Sequence, residues 1–504
     1  MGLLESERTT PLLQLLLVHT TNSTQETNGV LPITFQVPQR ALVFALLLLV
    51  VRFLYQRYRS PLRKYPGPFL ASGTPWGIWR GFSEEDHVKL HNKFGPVVRN
   101  APNELSFGAP DAARQILSVG QGFRKAKFYE PFPPAGINDL FKERNEPLHS
   151  QKLRAAAQSY SFAAMKQLTP WIEKTEKHLI ENLDDFAKSK QSFDMAKWLH
   201  WFSFDVLGEV AFSRPFGFLE AKKDVDGAIR AIDKAQAYNV MLLPATANRN
   251  SLVTRIAMEE MEKRLKGHVV DRKDMLGLLL EAKSKNEDKL SLNDVFSNAH
   301  GAIFAGSDST SSTMVTFLYN VLSSAGVLAK LMEEILKADS EGKLSELVTY
   351  DEAIQLPYFQ ACLKEAMRIA PASGVNLMRE VPPQGATICG EYVKGGTNVS
   401  VNAWVIHRDK ATFGQDADIF RPERWLDSPE AQIKLMDRSM FQFGGGSRIC
   451  TGRHLALIEM NSLLPQLLRR YEISFANPGK KLSHHSCSFF VLQWDLNLKL
   501  KLRK

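Results

Sequence analysis

Apolar positions recur at helical spacing over most of this chain. The spacing predicts helices over residues 171–183, 202–212, 274–282, 293–322, 356–369 and 454–471. Strand-like runs are fewer and shorter, at 97–99, 387–389, 398–402 and 489–492. The predicted fold class is therefore mainly α with a small β region. No repeat and no linker divides residues 70–504, so they read as one domain. Pro131, Pro133, Pro134 and Gly136 interrupt the pattern and mark an irregular loop ahead of a helix near His149.

Residues 41–51 break with this amphipathic patterning as an unbroken apolar run. A bilayer span needs roughly twenty residues, so the flanks must contribute. Residues 33–37 are mostly apolar, and Arg40 and Arg52 can snorkel to the interfaces. Arg52, Arg57, Arg59, Arg63 and Lys64 crowd the downstream side, whereas Glu5, Glu7 and Glu26 precede the run. That asymmetry places the downstream body in the cytosol. The acidic start argues against a cleaved signal peptide. The predicted organisation is a lumenal segment at 1–40, a membrane anchor at 41–59, a basic and Pro-rich hinge at 60–69 and a catalytic domain at 70–504. Tyr65-Pro66-Gly67-Pro68 stiffens the hinge. In this topology Asn22 of Asn22-Ser23-Thr24 is a glycosylation acceptor, and the sequon at Asn398 stays cytosolic and silent.

The composition, 44% hydrophobic and 23% charged, excludes wholesale disorder. A net charge of +9 favours an acidic partner or an anionic membrane surface. No Lys/Arg run or zinc-finger spacing points to nucleic acid. Cys362, Cys389, Cys450 and Cys487 lie far apart without a CxxC pair, so a reduced body is expected rather than a disulfide framework.

One cysteine has a special setting. Gly444, Gly445 and Gly446 let backbone approach a large flat ligand, and Cys450 immediately precedes an apolar helix. The positive end of a helix favours thiolate, the form that binds iron. Arg448 is placed to meet a carboxylate. The segment fits neither GxGxxG nor the Walker spacing. Phe443, Gly446, Arg448, Cys450 and Gly452 match FxxGxRxCxG at every fixed position. Ala305-Gly306-Ser307-Asp308-Ser309-Thr310, Glu365-Ala366-Met367-Arg368 and Phe420-Arg421-Pro422-Glu423-Arg424-Trp425 precede it in order. By these motifs everything after the hinge resembles the cytochrome P-450 superfamily. Pisatin demethylase-like enzymes of the fungal microsomal type look nearest, from the stretch between His407 and Trp425.

The resemblance implies a cytochrome P-450 fold holding haem b, with the iron on Cys450. It implies proton handling by Asp308 and Ser309, the latter standing where the family usually has threonine. A simple back-bond from Ser309 to its own helix is the competing reading. Gly306 would leave room for O2 and substrate. Glu365, Arg368 and Arg424 would form a structural ion network. Arg448 and Arg379 would meet the haem propionates. The usual Trp-or-His-x-x-x-Arg pattern is broken, because His149 is followed by Leu153 at the arginine place, leaving Lys152 and Arg154 as candidates. Phe128, Phe132, Ala302, Ala305, Val375 and Phe489 would line an apolar substrate pocket. No flavin or nicotinamide motif is present, so an NADPH-dependent cytochrome P-450 reductase is the implied electron donor. The expected activity is a membrane-bound monooxygenase of fungal terpenoid, polyketide or phenolic metabolism, or of detoxification, in the endoplasmic reticulum. The expected partners are an apolar small molecule, O2 and membrane lipid, without nucleic acid. A haem-thiolate isomerase or dehydratase and a non-enzymatic haem sensor are the rival readings.

Overall fold

Most of the long apolar-periodic stretches fold as helices close to their predicted bounds. A computed structural model describes residues 39–74, 84–132, 139–240, 252–486 and 489–503. Asn22, Pro133, Pro134, Gly136, Cys487 and nearly all of the predicted lumenal segment lie outside the described residues. The chain divides into two compact units, residues 1–52 and 53–504. The described part of the first unit belongs to helix α1 (Gln39–Tyr58). Val43, Phe44 and Leu46 through Val51 are all exposed on it. Among the described residues no single helix is long and apolar enough to cross a membrane.

In the second unit, the helices that matter for the site are α2 (Glu146–Ala156), α3 (Thr169–Ser189), α4 (Met195–Phe212), α5 (Ala228–Val240), α6 (Leu292–Ser323), α7 (Pro357–Ile369) and α8 (Arg453–Arg470). The longest, α6, starts with a capping box: Asp294 N–H donates to Ser291 Oγ (3.1 Å) and Ser291 N–H to Asp294 Oδ2 (2.9 Å). Such a cap contributes about 1 kcal/mol and fixes where the helix begins. Packed beside α4, α6 buries Ile303, Met314, Phe317 and Leu318, while α4 buries Phe202, Val206 and Val210. These side chains, with Leu463 and Leu464 of α8, belong to the main core.

Five strands form the largest sheet: β1 (Val97–Ala101), β2 (Glu104–Phe107), β3 (Arg124–Lys125), β4 (Leu377–Glu380) and β5 (Asn398–Val401), in the order β1-β2-β5-β4-β3. β2 and β5 run parallel, and the other pairs are antiparallel. The two-residue β3 sits at the edge, and its register sets Lys125 opposite Arg379. The 60–69 segment is docked rather than free: Arg99 N–H donates to Pro66 O (2.8 Å), and Tyr65 Oη donates to Glu391 (3.0 Å).

Several strand ends depart from the sequence reading. Cys389 lies beyond the strand Ala386–Ile388, in a tight turn with φ +49°, followed by Gly390 at +83°. Two consecutive left-handed residues match the twist of a two-residue hairpin. Asn402 leaves β5 to cap a short helix, accepting the Trp404 N–H. Phe489 precedes the strand Val491–Trp494 and accepts the Gly374 N–H instead (3.1 Å).

Candidate active site

The cysteine loop is shaped by its glycines. Gly444 and Gly446 have φ of +74° and +63°, a region costly for other residues. A Cβ on Gly446 would lie 1.9 Å from Leu117 O, so the loop approaches its neighbour as only glycine allows. Gly444 N–H donates to Phe441 O (2.7 Å), and Cys450 N–H donates to Phe443 O (2.8 Å), which closes the loop. Gly452 is the N-cap of α8. The amides of Gly452 and Arg453 both donate to the Cys450 sulfur. Burial pushes the thiol up from its usual range, and those amides together with the Arg453 charge pull it back. Cys450 is nevertheless solvent-accessible.

A buried cationic cluster accompanies this loop. Arg379, Lys125 and His149 are all buried, and the Arg448 side chain is only 4% exposed. Arg448 donates to Glu146 at 2.6 Å. Lys125 lies over the rings of Tyr129 and Phe141, 4.3 and 3.7 Å from their centroids. Burial first, then the charges of Arg379 and Arg448, holds its ammonium well below the usual lysine range. Burial and the charges of Arg448, Lys125 and Arg379 push His149 down to about 3. At Lys125, Asp139 and Glu146 offset the repulsion only in part. Mutually repelling cations in a buried place fit a dianionic ligand. The sulfur held under two amides fits an iron ligand. The residues present therefore fit haem, with Cys450 at the metal and Arg379, Arg448 and Lys125 at the propionates.

Of the four cations nominated from sequence, Arg448 and Arg379 join this cluster. Lys152 pairs instead with Asp294 at 2.7 Å, and Arg154 is exposed. Lys125 was missed. Its only signal is a pairing with a strand far away in sequence, which no local pattern reveals.

Helix α6 also departs from expectation. Ser309 Oγ donates to Ala305 O at 2.7 Å, the back-bonded arrangement. Asp308 is buried and accepts from His200 Nε2 of α4 at 2.7 Å. The acid and the alcohol are adjacent in sequence, yet their side chains engage different partners. A Cβ on Gly306 would meet Leu207 of α4 at 3.1 Å, so this glycine admits a packing side chain. Ala302, Ala305 and Ser309 follow i, i+3, i+7 spacing and form an open stripe in the middle of α6, Ala305 being exposed and the other two half-buried.

The ion network closes around Glu365. Its carboxylate accepts from Arg368 Nε and Nη2 (both 2.8 Å), Arg424 Nε (2.9 Å), Trp425 Nε1 (2.9 Å) and the Arg421 amide (2.9 Å). Arg368 also donates to His407 O (2.7 Å), and His407 Nε2 accepts the Phe441 N–H (3.1 Å). Burial and the Arg368 charge push His407 down to about 3, so its ring stays neutral and able to accept. Phe441 begins the cysteine loop, so the network reaches Cys450 through one histidine.

Phe128, Phe132 and Phe489 come together in a separate apolar cluster with Tyr129 and Met378. Phe141, not nominated from sequence, stacks edge-on with Phe132 (5.6 Å) and Phe489 (5.6 Å). Half-buried Val375 follows Gly374, whose amide is bonded to Phe489.

The Cytochrome P-450 family model matches residues 65–500. Cytochrome P-450 monooxygenase cicH of Emericella nidulans is 33% identical over 92% of this chain and 98% of its own length. A cytochrome P-450 monooxygenase of Aspergillus terreus is 33% identical over 84% and 93% of the two chains. The monooxygenase hepC of Aspergillus oryzae is 35% identical over 84% and 89%. The crystal structure of the cytochrome P450DA heme domain superposes with a TM-score of 0.68 at 20% identity, covering 80% of this chain and 87% of that one.

Proposed function

Starting from the fact that this chain belongs to the cytochrome P-450 family and is a monooxygenase with cysteine-ligated haem iron, we propose that it oxidises an apolar small molecule of fungal secondary metabolism at the endoplasmic reticulum membrane. Bound haem supplies the reduction of O2 by two electrons, transfer of one oxygen atom to the substrate and release of the other as water. The protein supplies the rest. Cys450 is the metal ligand, its sulfur held by the Gly452 and Arg453 amides. Arg379, Arg448 and Lys125 hold the carboxylates of the cofactor. The observation that carries the substrate class is the aromatic cluster of Phe132, Phe141 and Phe489, which offers ring faces and edges rather than hydrogen bonds. Terpenoid, polyketide and phenolic skeletons all have that character. Electrons come from an NADPH-dependent cytochrome P-450 reductase, whose acidic docking face suits a chain of net charge +9.

Membrane attachment runs through α1 together with the apolar residues that precede it. The exposed side chains of Val43, Phe44 and Leu46 through Val51 support this, as does the basic stretch after them. The catalytic unit faces the cytosol, and Asn22 is a lumenal glycosylation acceptor. The test is expression of the full chain with a reductase, followed by product analysis against fungal metabolite extracts with and without NADPH. An NADPH-dependent, CO-inhibited product of apolar origin is expected. Turnover under strictly anaerobic conditions would refute the oxygenase reading. Release of the protein from microsomes by carbonate would refute the membrane attachment.

A further inference from the structure

A second group of titratable side chains, buried or half-buried, is carried by α4, α5 and α6, apart from the cysteine loop. His200 of α4 and Asp308 of α6 share a 2.7 Å contact from Nε2 to Oδ1. Asp308 is fully buried there, whereas the His200 side chain keeps 18% exposure. Asp233 of α5 faces both groups electrostatically, and its Oδ1 is buried without a hydrogen-bond partner among the described residues. Asp224, just before α5, adds a third carboxylate; it accepts the Ile229 N–H (2.9 Å) and pairs with Arg230 at 3.6 Å. The Phe204 ring packs against the imidazole at 5.1 Å. One imidazole therefore faces three carboxylates, in a place where an unshared negative charge is costly.

This arrangement favours a held proton. Burial disfavours charge on His200, but the bond to Asp308 and the charges of Asp308, Asp233 and Asp224 outweigh it and raise its pKa above the ordinary 6.5. Burial, with Asp308 and Asp224, lifts Asp233 to about 7 against the pull of His200. Asp233 thus exchanges its proton near neutrality while His200 holds one above its ordinary range, and both residues are only partly buried whereas Asp308 is fully enclosed. Ser309 stands one residue beyond Asp308, on the open stripe of α6.

We propose that His200 is a positioning residue that passes protons from solvent to Asp308, with Asp233 as the third member of the relay. In each cycle the Nε2 proton moves to the Asp308 carboxylate. Asp308 gives it up toward the pocket, and solvent reprotonates the imidazole. The inference rests on the monooxygenase reading, and CO-sensitive, reductase-dependent O2 uptake by the unmodified protein checks that reading separately.

The experiment uses the haem-loaded full chain with NADPH and a cytochrome P-450 reductase, without substrate. Oxygen then leaves either as peroxide, consuming one NADPH per O2, or as water, consuming two NADPH and a further supply of protons. His200→Phe is expected to lower the water-forming rate roughly tenfold and to raise the peroxide share. His200→Gln keeps a hydrogen bond to Asp308 but cannot titrate, and it is expected to behave like His200→Phe. In the unmodified protein the water share should fall as pH rises through the His200 pKa, and in both variants it should be flat. A histidine NMR titration of the diamagnetic ferrous-CO form needs no turnover; Asp308→Asn should lower the His200 pKa. Wild-type partition and pH dependence in His200→Gln would overturn the proposal, and so would a His200 titration that Asp308→Asn leaves unmoved. A normal ferrous-CO spectrum in each variant separates loss of the relay from loss of the fold.

Discussion

Glu365→Ala is expected to release haem. The carboxylate accepts five hydrogen bonds inside the protein and is fully buried. Its loss leaves the guanidinium groups of Arg368 and Arg424 buried without their shared counter-charge. Both keep carbonyl acceptors, Arg368 at His407, Ala417 and Ile419, and Arg424 at Phe413, Asp416 and Ile419. Hydrogen bonding is thus partly preserved, and Arg424 also keeps the Asp416 carboxylate at 3.2 Å, so the charge left without a partner is that of Arg368; stranding one member of a buried pair costs about 3–5 kcal/mol. Against a net stability of about 5–15 kcal/mol, that removes a large fraction. The damage is directed, because Arg368 braces His407, and His407 accepts the Phe441 amide at the head of the cysteine loop. The assay pairs the haem-to-protein ratio after purification with urea unfolding of the same sample. Glu365→Gln, which keeps the size and one acceptor oxygen, should fall between the wild type and the alanine variant. Full haem occupancy and an unchanged urea midpoint in Glu365→Ala would refute the argument.

Lys125→Met removes a cation near the proposed propionate contacts and should weaken haem retention, read as faster transfer to apomyoglobin, while relieving repulsion in the haem-free protein. Gly446→Ala forces a Cβ against Leu117 O at φ +63°; the backbone conformation alone costs about 1–2 kcal/mol, and the thermal midpoint should fall with the ferrous-CO band. His484 Nε2 faces the carboxylates of Glu84 and Glu85 as a donor at 3.2 and 3.3 Å, and its pKa is raised, chiefly by the bond to Glu84. A raised histidine contributes stability that is complete below its unfolded pKa and lost as pH rises through the folded value. Hydrogen-exchange protection in the hairpin Ser483–Ser486/Val491–Trp494, taken relative to the intrinsic base-catalysed rate, should therefore fall as pH rises through the folded His484 pKa, and His484→Gln should abolish that fall.

The features legible in the sequence are those whose geometry is local. The cysteine loop could be read because its glycines, its cysteine and the start of α8 lie within ten positions. Glu365 and Arg368 could be paired because they are one helical turn apart. The helices α6 and α7 follow the apolar period to within a residue or two. The elements that escaped depend on tertiary partners. Lys125 belongs to the site because β3 pairs with β4. His200 sits in an aromatic stretch of α4 whose period does not reveal that Asp308 lies across from it. Gly306 suggested an opening until Leu207 proved to occupy the space. The hydroxyl of Ser309 had a carbonyl four residues back within reach, and that local bond is the one formed.

The two-residue edge strand has a consequence for assembly. Its antiparallel register with β4 sets Lys125 beside Arg379, two like charges, and Arg124 beside Glu380, an ion pair at 2.6 Å, so before the cofactor arrives one ion pair and the backbone bonds hold this corner against the repulsion next to it. Lys125, Arg379 and Arg448 would hold the haem carboxylates, and negative charge held there would offset that repulsion. Loading should therefore be the step that fastens the rim, and a chain that loses its cofactor should begin to fray there, well before the helical core gives way.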